Sequence, residues 1–198
     1  MKQPLLLLLS FIFLTSFSHR KETQLFHDGD IIFQTSSGDL SKAIQLATKS
    51  NLSHCGIIFF DNGKPYVYEA IQPVCKTPVE EWISRGTNKK YYIKSLKDKK
   101  RLDAAGIKAM KQNCNKFLGK NYDIYFGWSD ERIYCSELVW KIYKYALNIE
   151  PGKLQHLREF DLSSDIVKQK LKERYGNDIP YDEQVISPQA IFESSLLR

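Results

Sequence analysis

The sequence has little of what marks a metal or nucleotide enzyme. Four cysteines and four histidines are scattered over 198 residues, with no Cys-x-x-Cys pair and no His-Glu-x-x-His, so the ligand spacing of a zinc site is missing. Ten glycines never gather into a phosphate-cradling loop, and no cofactor is expected. Seven prolines without a low-complexity tract leave neither a linker nor a repeat. At 42% hydrophobic and 26% charged residues, the chain is too apolar for disorder and too mixed for a fibre. One globular domain with a sizeable core is the simplest organisation.

Long apolar runs are also scarce. The one that stands out, residues 5–17, follows Lys2 and is too short and weakly flanked for a membrane span. It reads as a secretory signal peptide over residues 1–18, with Ser16-Phe17-Ser18 as the small-x-small cleavage pattern and His19 starting the mature chain. An uncleaved N-terminal anchor is the alternative, and both export the domain to a periplasmic or extracellular location. Residues 19–27 then form a short N-terminal segment and residues 28–198 the domain. Removing residues 1–18 deletes one Lys and no acid, so a net charge of +6 becomes +5. Much of that surplus sits in residues 88–101, NKKYYIKSLKDKKR. This run is either a solvated loop and strand edge or a surface that leans on an anionic envelope. Export argues against nucleic acid as a partner.

An even cysteine count in an oxidising compartment suggests two disulfides. A free nucleophile among the four would leave at most one, formed from Cys55, Cys75 and Cys114. Cys135 is the candidate for that nucleophile. After it, Leu138, Val139, Ile142, Tyr143 and Ala146 recur at three- and four-residue spacing, the stripe of a helix buried on one side. Cys135 therefore falls in the first turn, where unpaired N–H groups and the positive end of the dipole favour a thiolate. Ser136 and Glu137 also suit a first turn, as a cap and as a complement to the dipole. A buried structural cysteine is the competing reading, and a base is needed to decide.

The base comes from a hairpin. Residues 53–60 and 65–71 are apolar runs flanking Asn62-Gly63, which favours a two-residue turn. With that turn Asp61 pairs with Lys64, Gly56 faces Glu69, and His54 and Glu69 become diagonal neighbours on one face, about 7 Å apart. Gly56 between them has no side chain to obstruct contact. A carboxylate aimed at an imidazole is the second half of a nucleophile, base and orienter system. Cys55, on the opposite face with Ile57 and Phe59, reads as packing.

Elsewhere, residues 31–33 read as a buried strand and Asp39 as the cap of a helix over residues 39–49. Residues 73–78 read as a loop containing Cys75, residues 79–83 as a short helix, and residues 91–94 as a strand. A long helix over residues 102–118 is expected to bury Leu102, Ala105, Met110, Cys114 and Phe117. The aromatic segment 120–131 either walls a substrate cleft or fills a core. Ser163 or Ser164 caps a polar helix ending at Tyr175, residues 185–186 are a last strand, and Pro188 opens a final helix running through Ile191, Phe192 and Leu196.

The order His, then carboxylate, then Cys at a helix start reverses the order of papain-like peptidases. Together with GDIIF at 29–33, SHCGI at 53–57, YVYEA at 66–70, GKNYD at 119–123 and YCSELVW at 134–140, the sequence resembles the circularly permuted papain-like, NlpC-type cysteine hydrolases, in their YiiX-like branch. SPQAIF at 187–192 is similar to that branch's ending. The resemblance implies an α+β fold, a small antiparallel sheet packed against helices with the nucleophile at a helix N-terminus. It implies Cys135 as nucleophile, His54 as general base and acid, and Glu69 as the group orienting His54. Tyr134 and Tyr122 are candidates to line the oxyanion or substrate site. The implied activity is amide hydrolysis without cofactor or metal, on cell-wall peptides or other amide and acyl compounds. A thioesterase or acyltransferase would use the same three residues, and a non-catalytic binding module would carry them as a relic.

Overall fold

The structure, a computed structural model, describes residues 25–198. The signal peptide expected over residues 1–18, with its cleavage site, lies outside the described residues. Five strands form one antiparallel sheet: β1 (Ile31–Gln34), β2 (His54–Asp61), β3 (Lys64–Glu69), β4 (Cys75–Pro78) and β5 (Tyr91–Lys94), in the order β4-β3-β2-β1-β5. The hairpin register is the expected one, with Asp61 opposite Lys64 and Ile57 opposite Tyr68. Asn62 and Gly63 both take left-handed φ, 50° and 77°, as a turn matching the strand twist requires.

Alternation along the strands splits the core in two. Ile31, Phe33, Cys55, Ile57 and Phe59 face α3 (Ala104–Phe117) and α4 (Cys135–Leu147) in the larger cluster, while Ile32, Ile58 and Val67 face α2 (Val79–Ser84) and its buried Trp82. Each fully buried aliphatic side chain in these layers contributes about 1.5–3 kcal/mol. Helix α4 packs on β2 and α3, and α1 (Asp39–Thr48) packs on α5 (Asp165–Tyr175). Two short pairs follow: β6 (Asn121–Tyr122) runs parallel to β7 (Arg132–Ile133), and β8 (Gln155–His156) runs antiparallel to β9 (Gln184–Val185). Helix α6 (Pro188–Phe192) closes the chain with Pro at its first position.

Several local expectations are corrected. Residues 75–78 form a strand rather than a loop, hydrogen-bonded to β3 with Glu69 opposite Cys75. Gly38, not Asp39, holds the cap position of α1, and Asp39 is its first helical residue. Ser164 caps α5 by accepting the Val167 N–H. Asp103 caps α3 by accepting the Gly106 N–H at 2.8 Å, so this helix starts later than expected. It buries Met110, Cys114 and Phe117, whereas Ala105 is exposed. Ser136 does not cap α4: it lies inside the helix and donates to the Ile186 carbonyl, while the Glu137 carboxylate accepts the Tyr134 N–H. Helix α6 ends at Phe192, short of Leu196. All four cysteines are free.

Candidate active site

His54 opens β2 and Glu69 closes β3, and their side chains meet as the register demands, with His54 Nε2 2.6 Å from Glu69 Oε2. A Cβ on Gly56 would sit 2.4 Å from Val67 Cγ1 and 2.7 Å from the Tyr68 carbonyl oxygen. Glycine is therefore needed for the close approach of the strands, as well as for the clear path between the two side chains. The imidazole stacks on Trp82, with ring centroids 5.7 Å apart.

Glu69 is fully buried and both its oxygens are engaged. Thr77 Oγ1 on β4 donates to Oε1 at 2.6 Å, and Arg85, following α2, donates Nη2 to the same oxygen. Burial alone pushes this carboxyl up, but the partners outweigh it, His54 first, then Thr77 and Arg85, and hold it below the usual range. Neither Thr77 nor Arg85 is among the residues expected from sequence. The signal for Thr77 lay in an edge strand hidden between prolines, and Arg85 reaches Glu69 only through tertiary packing.

Cys135 is the first residue of α4. Its thiol is held well below its ordinary pKa, first by a hydrogen bond from the Cys55 side chain, against the opposing effect of burial, and then by His54. Burial and the neighbouring Cys135 charge push the Cys55 thiol far up, so it stays protonated and serves as donor. Cys55 is packed in the core as expected, and from there its thiol acts on Cys135. For His54, burial disfavours the charged ring, but Cys135 and Glu69 raise its pKa to about 9. Glu69 occupies Nε2 and leaves Nδ1 unused by it. These shifts describe a thiolate beside an imidazolium.

The two tyrosines part company. Tyr122 lies close enough for the Cys135 charge to raise its pKa further, after burial, and its phenol stays protonated. The Tyr134 hydroxyl instead accepts the Ile186 N–H at 3.0 Å, with its ring edge-on to Phe126. The aromatic segment does both things considered for it. Tyr122 and Ile124 line a cleft, whereas Trp128 packs edge-on to Trp140 and under Lys141. The cleft, about 860 Å³, is lined by His54, Arg85, Arg132 and Gln72, together with Leu40 and Ile44 of α1. Cys135 lies behind this lining, 3% exposed.

Comparison with known proteins agrees with the geometry. Residues 25–198 match the family model described as permuted papain-like amidase enzyme, YaeF/YiiX, C92 family. An uncharacterized protein of Escherichia coli K12, YiiX, is 46% identical over 197 residues, spanning 100% of this chain and 94% of that one. A crystal structure titled metalloprotein yiiX from Escherichia coli O157:H7 superimposes with a TM-score of 0.83 at 48% identity, covering 87% of this chain and 94% of that one.

Proposed function

Because the chain belongs to the permuted papain-like amidases of the YaeF/YiiX family, we propose that it is an exported cysteine hydrolase cleaving amide bonds through Cys135, His54 and Glu69. The observation that carries this reading is the buried cluster in which Glu69 holds His54 Nε2 at 2.6 Å and a thiol lowered in part by His54 starts α4.

The Cys135 thiolate attacks the amide carbonyl carbon, forming the C–S bond. The developing oxyanion is met by the Cys135 main-chain N–H, one of the unpaired donors of the first helical turn, and Tyr122 is placed to add a hydroxyl. Protonated His54 gives its Nδ1 proton to the leaving amine as the C–N bond breaks. The neutral imidazole then takes a proton from water, which attacks the thioester and restores the thiolate. Glu69, fixed by Thr77 and Arg85, keeps the ring oriented and its charge balanced. A binding module would have no use for a buried charged cluster joined to a lowered thiol.

The related crystal structure is titled a metalloprotein. In this chain no three His, Cys, Asp or Glu side chains among the described residues are grouped to hold a metal ion, so the residues present do not fit one and no step is routed through it.

The apolar leader supports export, and Lys89, Lys90, Lys97, Lys99 and Lys100 stand exposed where they can meet an anionic envelope. Cell-wall peptides are the substrate class that location and family favour. Amine release from isolated cell-wall peptides is expected with the mature protein and is expected to vanish in Cys135→Ala. Full activity in that variant would remove the mechanism, and recovery of the protein in the cytoplasmic fraction would remove export.

A further inference from the structure

The catalytic groups use only part of the cleft's charge. Its lining holds three groups able to carry positive charge, His54, Arg85 and Arg132, and no Asp or Glu. Glu69 and the Cys135 thiolate, outside that lining, supply two negative charges, and the Asp123 and Arg174 charges that act on Tyr122 oppose each other, so one positive charge is left over. His54 is matched within the triad, and Arg85 gives Nη2 to Glu69, although its side chain is 37% exposed and most of its N–H donors are unspent. Among the described residues, no carboxylate pairs with Arg132; the acid two residues before it, Asp130, is taken by Lys141 at 2.7 Å. Pairing of β6 with β7 sets Arg132 opposite Asn121, on the same cleft wall as Tyr122. The surplus charge therefore sits beside the nucleophile's neighbour Tyr122, on an exposed side chain. A guanidinium so placed presents a planar fork that matches a carboxylate or a phosphate.

We propose that the cleft takes amides carrying an anionic group, a carboxylate or a phosphate, and that Arg132 is the specificity-determining residue that docks it, with the outer edge of Arg85 behind. This rests on the reading of the cleft as the active site of a cysteine hydrolase. It narrows the substrate to one whose charged group lies within reach of the scissile amide, and it disfavours neutral or cationic amides.

Three alkylating probes test it on the mature, full-length protein: N-chloroacetylglycine, N-chloroacetyl-aminomethylphosphonate and the neutral N-chloroacetylglycinamide. In each, the Cys135 thiolate displaces chloride, the C–S bond forming as C–Cl breaks, and labelling is located by peptide mass spectrometry. At low salt at least one anionic probe is expected to react about tenfold faster than the neutral one or more, an effect that added salt shrinks. Arg132→Gln is expected to collapse the ratio toward one, and Arg132→Lys to restore part of it. A rate advantage confined to the glycine probe assigns a carboxylate, and one confined to the phosphonate assigns a phosphate. Equal rates in the wild type, or a ratio that survives Arg132→Gln, overturn the subsite. The neutral probe reports separately on the thiolate: if it reacts only as an ordinary thiol would, the hydrolase reading fails, whatever the ratio shows.

Discussion

Glu69 is one of the two partners that hold His54 charged. A carboxylate with no exposure keeps its charge only because His54, Thr77 and Arg85 use its oxygens, and that charge in turn helps keep the imidazole protonated up to about 9. In Glu69→Gln the amide preserves shape and an acceptor but removes the charge, while burial still favours neutral imidazole. The His54 pKa, followed through its ring protons by NMR, is expected to fall clearly below about 9, with Cys135, the larger raising influence, still opposing burial. A value that stays near 9 would show that Glu69 is not the cause. Cys135, His54 and Glu69 were legible because each sits at a position that a helical or strand period fixes. Thr77, Arg85 and the Cys55 contact were not. Alternation correctly sends Cys55 to the core face, but only the docking of α4 on that face brings its first residue to the Cys55 thiol.

At the scale of elements, the β2–β3 hairpin and α4 hold the chemistry, and both could be read from local pattern. Asn62-Gly63 fixed the hairpin register, and the register fixed the His54–Glu69 pair. The same register makes Gly56 critical. In Gly56→Ala the new Cβ meets the Tyr68 carbonyl, which belongs to the neighbouring strand's backbone and cannot turn away. A loss of about 2 kcal/mol in unfolding free energy is expected from this overpacking, read from the denaturant midpoint. A variant as stable as the wild type would mean the strands can separate at no cost. The elements that escaped the sequence had weak local signals. Flanking prolines at positions 73 and 78 made β4 look like a loop, although an edge strand tolerates proline. The apolar stripe of α3 extends back to Leu102, but the polar Asp103 supplies the cap and sets the start. Residues 120–131 have no period because their aromatics answer to different neighbours, the cleft on one side and Trp140 with Lys141 on the other.

For the molecule as a whole, the sheet separates two cores and the candidate site forms at their shared edge. His54 and Glu69 belong to the face covered by α2, while Cys135 arrives with α4 from the opposite face, and they meet where β2 begins. No composition or period shows that meeting, since it depends on how the layers stack. The family resemblance implied it, and in the fold α4 packs on β2. The arrangement also defines a pH window for the proposed hydrolysis. The thiolate is present above the lowered Cys135 pKa, and the imidazolium that must protonate the leaving amine persists until the pH passes about 9. The most direct test of this ion pair is the rate of iodoacetamide alkylation at Cys135 as a function of pH, in the mature protein and in His54→Ala. The account predicts fast alkylation well below pH 7 in the wild type and a shift of the profile toward the ordinary thiol value of about 8.5 in the variant. A wild-type profile that already follows an ordinary thiol, or one that His54→Ala leaves in place, would contradict it.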